Sequence, residues 1–353
     1  MLTLVELSGE HPTLPIAELV SCLHRYKPKI VLRDDRVAVI DIPEQGIEST
    51  TKLALSYYVS KFIFSCSSAE LLERSKDIAL GSGAFRVRVK KINTKIPTPS
   101  LEASIGSNIL ASNPCSKVDL EKPESEIRVV IVRNKCYVGE RIIELNRKAF
   151  ETRKPHYRPF FSPISLHPRI ARALVNLSCV KENEVLVDPF CGTGGILIEA
   201  GLLNLRTIGF DIEKRMVEGT KKNLEFFNIR NYELFQADVG ELTKFIKSCD
   251  AIVTDPPYGR SATTRRESPL KLYRRAFKEF KKILKNDGHL VIVLPTKEAI
   301  ELGSEYFKLV EMHKLRIHKS LIRNICVYKN WVVNSATEGL SDEVLRGISC
   351  RGV

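Results

Sequence analysis

Residues 185–199 read Val-Leu-Val-Asp-Pro-Phe-Cys-Gly-Thr-Gly-Gly-Ile-Leu-Ile-Glu, and this stretch decides the fold. An aliphatic run ends on Asp188, and an apolar pattern with helical spacing begins after Gly195. The pattern predicts a strand, a glycine turn and a helix. Because glycine has no Cβ, the backbone can turn sharply there and a ligand can lie against it.

Spacing separates this turn from two other glycine-rich turns. A dinucleotide-binding fingerprint needs a third glycine where Leu197 stands, and a phosphate-binding loop needs a Gly-Lys-Ser/Thr sequence that is missing. The acidic Asp188 at the strand tip disfavours a polyphosphate and favours a ligand with an ammonium group or hydroxyl groups. S-adenosylmethionine has both. An ordinary tight connection between strand and helix is the alternative.

Acidic residues also follow the next two predicted strands, 205–210 and 232–236. Because the carboxyl ends of parallel strands line one edge of a sheet, we expect Asp188, Asp211 and Asp238 to hold one adenosyl ligand there. Asp211 would accept from the ribose hydroxyls and Asp238 from the adenine amine, although each alone fits a turn. The predicted cofactor-binding residues are Asp188, Pro189, Cys191, Gly192, Thr193, Gly194, Asp211, Ile212, Asp238 and Val239.

A fourth predicted strand, 250–254, leads into the sequence Asp-Pro-Pro-Tyr-Gly at 255–259. The two prolines keep the chain extended and provide carbonyl acceptors without backbone donors. We expect the Asp255 carboxylate and the Pro256 carbonyl to accept from a planar amine, and Tyr258 to stack on its ring. Acceptors are needed because the lone pair of such an amine is delocalised into the ring. Asp255, Pro256 and Tyr258 are the predicted catalytic residues, and a rigid proline turn is the alternative.

The two motifs together resemble those of Rossmann-like, S-adenosylmethionine-dependent amino-methyltransferases that act on nucleobases. The Asp-Pro-Pro-Tyr tetrad occurs in adenine-N6, cytosine-N4 and guanine-N2 enzymes, so it implies the chemistry and leaves the base open. Residues 158–177 resemble the stretch before the glycine turn in archaeal tRNA guanosine-10 N2-methyltransferases, where it closes over the methionine part of the cofactor. The resemblance implies methylation of guanosine N2 at tRNA position 10, with a second transfer giving the dimethyl form.

Related families offer competing interpretations. The tRNA guanosine-6 and ribosomal RNA guanine-N2 enzymes usually carry Asn at the first tetrad position, so Asp255 favours position 10. A DNA amino-methyltransferase and a non-catalytic RNA-binding protein with a vestigial Rossmann domain also stay open. The intact acids and glycines of the motifs favour an enzyme.

The amino-acid composition narrows the classes of partner and the cellular location that we expect. The chain has 353 residues, enough for two or three domains, and 55 Lys and Arg against 42 Asp and Glu, which favours a polyanionic partner. No apolar run approaches the roughly 18 residues of a membrane span. The nine cysteines are scattered without a Cys-x-x-Cys pair, which argues against a metal site and for a reducing, cytoplasmic location.

The first half of the chain predicts an α+β module. Residues 1–80 alternate short strands with amphipathic helical patterns, including one at 69–78. The element order of the region 50–145 and the sequence Leu-Glu-Ala-Ser-Ile-Gly-Ser at 101–107 resemble the THUMP domain, which lies beside a ferredoxin-like unit and holds the acceptor end of tRNA. The fold class is therefore predicted as α/β, with a Rossmann-like methyltransferase sheet preceded by an α+β ferredoxin-like and THUMP module. The predicted domains are 1–55 (ferredoxin-like), 56–146 (THUMP), 147–165 (linker), 166–333 (methyltransferase) and 334–353 (tail).

Basic residues that could contact tRNA phosphates lie in three places: one face of a predicted strand at 84–91, the linker, and the loop after the tetrad. A solvated surface is the alternative for each group. The predicted RNA-binding residues are Arg86, Arg88, Lys90, Lys91, Arg153, Lys154, Arg158, Arg260, Arg265 and Arg266. We expect a monomer that binds tRNA without a metal ion or a membrane. A small activating protein partner, which the eukaryotic relatives need, stays open.

Overall fold

The computed structural model describes residues 1–94, 98–162, 165–258, 267–318 and 321–331. Within them the strands are β1 (Leu2–Leu7), β2 (Lys29–Asp34), β3 (Val37–Asp41), β4 (Ser56–Ser67), β5 (Gly83–Ile92), β6 (Ser116–Val118), β7 (Ser125–Val132), β8 (Lys135–Glu144), β9 (Val185–Asp188), β10 (Arg206–Asp211), β11 (Tyr232–Gln236), β12 (Cys249–Thr254), β13 (Leu284–Leu294), β14 (Lys308–His318) and β15 (Leu321–Lys329). The α-helices are α1 (Leu14–Cys22), α2 (Leu71–Arg74), α3 (Thr98–Ser112), α4 (Lys148–Glu151), α5 (Pro168–Leu177), α6 (Gly195–Gly201), α7 (Lys214–Phe226), α8 (Pro269–Ile283) and α9 (Lys297–Ser304).

The second half of the chain forms a seven-stranded sheet in the order β11-β10-β9-β12-β13-β15-β14. Strands β9 to β13 are parallel, whereas β15 runs antiparallel to both β13 and β14. Neighbouring residues of a strand face opposite sides, so Leu186 packs with helices α5, α6 and α7, and Val187 packs with α8 and α9. The predicted Rossmann-like sheet, with helices packed on both faces, is confirmed.

The first half forms an eight-stranded sheet in the order β2-β3-β1-β4-β8-β7-β5-β6. Strand β4 pairs with β1 on one side and with β8 on the other, so the regions predicted as ferredoxin-like and THUMP share one sheet. The predicted boundary at 55/56 falls directly before β4. Strand β6 was not predicted, and the helix expected at 69–78 is shorter, because α2 gives way to a 3-10 turn at Ser75–Asp77.

Helices α1 and α5 carry buried polar contacts between the two halves. The Glu18 carboxylate of α1 is fully buried and accepts from Ala54 N and from Asn176 Nδ2 of α5, both at 2.8 Å. His11 Nε2 lies 3.0 Å from the Lys314 carbonyl, and Thr13 Oγ1 lies 2.8 Å from His313 Nδ1. These contacts fix the first sheet relative to the second. No described helix combines the length and apolar character needed to cross a membrane.

Candidate active site

The glycine turn joins β9 to α6 at the carboxyl edge of the seven-stranded sheet. Cys191 N donates to Phe210 O at 2.8 Å, and this bond ties the turn to β10. Gly192 and Gly194 have φ values of 52° and 78°, in the left-handed region that favours glycine. A Cβ on Gly194 would lie 2.8 Å from Thr220 Cγ2, whereas a Cβ on Gly192 would meet no atom within 4 Å. The space beside Gly192 is therefore open to a ligand.

Two predicted acids, Asp188 and Asp211, lie at this turn. Asp188 is buried, and its Oδ1 accepts from the Thr254 hydroxyl at 2.7 Å and from Phe190 N at 3.2 Å. Burial raises the pKa of Asp188 to about 7. Asp211 accepts from Gly192 N at 3.0 Å, and burial raises its pKa as well. The structure thus brings both carboxyl groups to the backbone where the ligand was expected.

The third predicted acid, Asp238, carries an ion pair. Its carboxylate accepts from Gly240 N at 2.8 Å and from the Arg275 guanidinium of α8, and Arg275 also pairs with Glu267 at 2.8 Å. An adenine amine at Asp238 would share the carboxylate with Arg275. Sequence analysis did not predict this partner.

The remaining predicted cofactor-binding residues support the turn more than they line it. Pro189 and Val239 are buried, Ile212 is half-buried, and Thr193 Oγ1 lies 3.1 Å from Ser165 Oγ. Burial raises the pKa of the Cys191 thiol, so Cys191 is a packing residue and not a nucleophile.

The stretch before α5 lies against the glycine turn, and Asn223 of α7 fixes it there. The Asn223 amide accepts from Phe160 N and donates to Phe160 O, both at 2.9 Å, and it also donates to Thr193 O at 2.9 Å. The Phe160 ring covers Gly219, where a Cβ would lie 2.1 Å from the ring. Asn223 and Gly219 were not singled out in the sequence, because the contact depends on tertiary packing.

The tetrad follows β12 at the same edge of the sheet. Pro256 is buried, and the Tyr273 hydroxyl of α8 donates to Pro257 O at 2.9 Å. Asp255 Oδ1 and the Tyr258 hydroxyl are buried without a hydrogen-bond partner among the described residues. Burial raises the pKa of Asp255 to about 7. A buried carboxylate oxygen without a donor is costly, so Asp255 is suited to a ligand that donates hydrogen bonds.

A cation that sequence analysis missed lies beside the tetrad. Arg323 Nη1 is 3.5 Å from Asp255 Oδ2, and the Arg323 guanidinium carbon is 4.1 Å from the centroid of the Tyr258 ring. The available signal was topological: a last strand that runs antiparallel begins at the edge where the parallel strands end. Arg323 stands near the start of such a strand.

The basic residues predicted to bind RNA fall into three groups. On β5, Arg86 pairs with Glu126 and Arg88 lies 3.5 Å from Glu102, whereas Lys90 is exposed and Lys91 is half-buried. Lys154, in the linker, pairs with Glu151. Arg260, Arg265 and Arg266 lie outside the described residues.

Two linker arginines do not fit the predicted contact with tRNA phosphates. Arg153 Nε lies 2.8 Å from the fully buried Glu199. Arg158 is 5% exposed, and its Nη1 would lie 3.3 Å from a Cβ on Gly195. The Glu199 carboxylate that Arg153 contacts also pairs with Arg172 at 2.9 Å, whereas Arg158 Nε donates to Arg153 O at 3.0 Å. Their placement indicates that they hold the linker on α5 and α6.

S-adenosylmethionine fits the residues present at this edge of the sheet. The open side of Gly192 gives backbone contact, Asp188 and Asp211 offer carboxylate oxygens for an ammonium group and for hydroxyls, and the linker stretch adds a wall. In the described part of the chain, no group of three or more His, Cys, Asp or Glu residues is arranged to hold a metal ion.

Comparisons with known proteins place the chain among tRNA methyltransferases. Residues 155–325 match the "RMKL-like, methyltransferase domain" family, and residues 72–139 match the THUMP domain. The tRNA (guanine(10)-N2)-dimethyltransferase of Methanothermobacter thermautotrophicus is 38% identical over 331 residues, which cover 92% of this chain and 98% of that protein. The chain belongs to the tRNA (guanine(10)-N2)-dimethyltransferase family.

Other matches agree with membership of the tRNA (guanine(10)-N2)-dimethyltransferase family. The family member of Methanocaldococcus jannaschii is 33% identical over 361 residues, which cover 92% of this chain and 98% of that protein. The crystal structure of TrmN from Thermus thermophilus matches with a TM-score of 0.56 at 18% identity, covering 94% of this chain and all of that one. At this identity the structural match supports the fold alone.

Proposed function

We propose that this protein transfers methyl groups from S-adenosylmethionine to N2 of a guanosine in tRNA, at position 10. The observation that carries the proposal is the buried Oδ1 of Asp255, which has no hydrogen-bond partner among the described residues and lies at the edge of the sheet that also presents the open side of Gly192. This edge offers both an acceptor for an exocyclic amine and a place for the cofactor. Family membership supports guanine N2 as the amine and position 10 as the site.

S-adenosylmethionine supplies an electrophilic methyl group on a positively charged sulfur. The guanine N2 lone pair forms the new N–C bond as the C–S bond breaks, and the electron pair of that bond stays on the sulfur of S-adenosylhomocysteine. The cationic N2 then loses one proton. Asp255 would hold the amine through its N–H groups and receive this proton, and its pKa of about 7 suits such an exchange near neutral pH.

The other residues would position the reactants. The Pro256 carbonyl would accept from the amine and Tyr258 would stack on the base. Asp211 would hold the ribose hydroxyls, and Asp188 would face the ammonium group of the cofactor. Asp238 would accept from the adenine amine beside its ion pair with Arg275. Holding both reactants in line supplies much of the rate enhancement.

The first half of the chain would grip the tRNA. The guanosine must leave its stack to reach Asp255, which costs a few kcal/mol that contacts elsewhere on the tRNA offset. Lys90 and the partly exposed Arg88 of β5 are the described basic residues that we place on this grip. We also propose the five-part division of the chain at residues 55, 146, 165 and 333, a cytoplasmic location and action as a monomer.

The direct test is methylation of an unmodified tRNA transcript with labelled S-adenosylmethionine. Nucleoside analysis should give N2-methylguanosine or N2,N2-dimethylguanosine, and the dimethyl form, which has lost both N2–H donors, should stop reverse transcription at position 10. A transcript with adenosine at position 10 should take up no label. Label at another guanosine would keep the chemistry and overturn the position, whereas label on duplex DNA instead of tRNA would overturn the substrate.

A further inference from the structure

Arg323 contacts two of the three predicted catalytic side chains, although neither sequence motif contains it. Its Nη1 lies 3.5 Å from Asp255 Oδ2, and its guanidinium carbon lies 4.1 Å from the centroid of the Tyr258 ring. The Arg323 side chain is 13% exposed and that of Asp255 is 16% exposed. Because both contacts are largely shielded from water, each is stronger than it would be on the surface.

The sheet topology explains how Arg323 reaches the tetrad. Strand β15 pairs with β13 from Asn324 onward, opposite Leu294, and the Asn324 amide donates to Leu294 O at 3.2 Å. Arg323 itself pairs only with Leu315 of β14 among the registered residues. It therefore stands one residue beyond the part of β15 that β13 covers. From there its side chain passes the end of β13 and meets Asp255, which follows β12.

We propose that Arg323 is a positioning residue of the methyl-transfer site, holding Asp255 as an accepting carboxylate and supporting one face of Tyr258 while the other receives the base. The inference rests on the proposed function. The ion pair engages Asp255 Oδ2 and leaves Oδ1 without a partner in the described part of the chain. Oδ1 is then the oxygen that accepts from the guanine amine.

The charges around Asp255 explain why such a cation is needed. Burial raises the pKa of Asp255 to about 7, and the charge of Arg323 opposes this rise. Among the described residues, the other titratable groups that face it are Asp188 of β9 and Tyr273 of α8, and the pKa of each is raised by burial and, in addition, by the Asp255 charge. Neither adds a positive charge beside Asp255. Without Arg323 the carboxyl would keep its proton to higher pH and would accept hydrogen bonds less strongly.

The test compares Arg323→Met, Arg323→Lys and a control, Arg206→Met. Arg206 also pairs with a carboxylate, Glu233, but it lies at the opposite end of the parallel strands. The rate of methyl transfer to tRNA at saturating substrates would be measured from about pH 6 to about pH 9, with S-adenosylhomocysteine affinity and thermal unfolding for each variant. If the wild-type protein methylates no guanosine, the proposed function is wrong. The Arg323 inference is overturned only by the comparison of variants with an active wild-type protein.

Given wild-type activity, Arg323→Met should move the acid limb of the rate profile upward by about one pH unit or more. The rate at pH 7 should then fall about fivefold or more, and the difference between variant and wild-type rates should narrow at pH 9. In Arg323→Lys the acid limb should return close to its wild-type pH, because the positive charge is present again. The rate profile of Arg206→Met should match that of the wild type. If the acid limb of Arg323→Met lies at the same pH as that of the wild type, the inference is overturned. An equal loss at every pH with weaker cofactor binding and a lower unfolding temperature would also overturn it, since that is the pattern of a structural ion pair.

The contact between Arg323 and Tyr258 is tested separately at pH 9, where the Asp255 carboxyl is ionised in every variant. The loss that remains in Arg323→Met should disappear in a Tyr258→Leu background, because the two substitutions remove one shared contact. Independent, additive losses would contradict this part of the inference.

Discussion

Three carboxyl groups carry the proposed chemistry of this site, and burial raises the pKa of each. The pKa values of Asp188 and Asp255 are both raised to about 7, and that of Asp211 is also raised. Each carboxyl has a different set of partners. Backbone amides satisfy Asp211, a hydroxyl and an amide satisfy Asp188, and Asp255 keeps one oxygen without a donor among the described residues. These partners predict different roles.

Substitution should separate cofactor binding from catalysis. Asp255→Ala should leave S-adenosylhomocysteine affinity near the wild-type value and lower the methylation rate about a hundredfold or more, because the amine loses its acceptor. Asp211→Ala should weaken the affinity first, by about tenfold or more, since a charged hydrogen-bond acceptor is lost. Calorimetry and single-turnover methylation measure the two effects. An equal loss of cofactor affinity in both variants would contradict the assigned roles.

The pH dependence of the reaction should follow Asp255. Its pKa is raised, so the accepting carboxylate is depleted below about pH 7 and accumulates above it. The rate at saturating substrates should therefore rise with pH and level off above neutrality. Asp255→Asn keeps an acceptor oxygen that does not titrate, so its lower rate should lack this limb. If the rate of Asp255→Asn still rises over the same pH range as that of the wild type, another group is the one that titrates.

At the scale of elements, packing between α7 and the linker shapes the cofactor site. Asn223 binds both Phe160 and Thr193, so one side chain joins the linker, the helix and the glycine turn. Gly219 leaves room for the Phe160 ring, whereas a Cβ on Gly106 in α3 would lie 4.0 Å from its nearest neighbour, Val87 Cγ2. Both glycines lie within helices, so Gly106 can serve as the control for a methyl group added at Gly219.

Alanine at the two glycines should have opposite effects. Gly219→Ala should lower the free energy of unfolding by about 1–3 kcal/mol, because the new methyl group collides with Phe160. It should also weaken S-adenosylhomocysteine binding, since the linker moves off the turn. Gly106→Ala should raise the free energy of unfolding by about 0.5–1 kcal/mol through helix propensity alone. Denaturant unfolding and calorimetry test both. A stabilising Gly219→Ala with normal binding would refute the packing role of Phe160.

The elements themselves were largely predictable from the sequence, whereas their contacts were not. Short apolar runs predicted β9 to β12 nearly residue by residue, and the acids at their ends lie at one edge because parallel topology requires it. Arg323, Asn223 and Arg275 were missed because each acts through a strand or helix distant in sequence. The burial of Arg153 and Arg158 was not predicted either, because composition does not show which way a guanidinium points.

At the scale of the whole molecule, pairing across β4 joins what the sequence suggested were two units. The alternation in β1, β4 and β8 predicts strands, but a period of two residues cannot tell which strands pair. One continuous sheet joins the elements of the first half of the chain, and buried polar contacts hold it against α5. If tRNA binds on the first half, as we propose, this arrangement sets its distance to Asp255.

The contact between Glu18 and Asn176 should therefore matter for tRNA and not for the cofactor. Asn176 Nδ2 donates to Glu18 Oε1 at 2.8 Å and to Lys52 O at 3.1 Å.

Asn176→Ala leaves a buried carboxylate short of one donor, which costs about 1–3 kcal/mol and loosens the junction between the two halves of the chain. Methylation of tRNA per enzyme should fall about tenfold or more, since small misplacements of a substrate are costly, while S-adenosylhomocysteine affinity stays at the wild-type value. Asn204→Gly is the control, because Asn204 also donates to a carboxylate, that of Glu182, but at an exposed site, and glycine keeps the left-handed backbone there at a φ of 61°. If folded Asn176→Ala methylates tRNA at the wild-type rate, the junction does not set the distance between the tRNA grip and the active site. If its affinity for the cofactor product falls in parallel, the junction acts on the whole methyltransferase sheet.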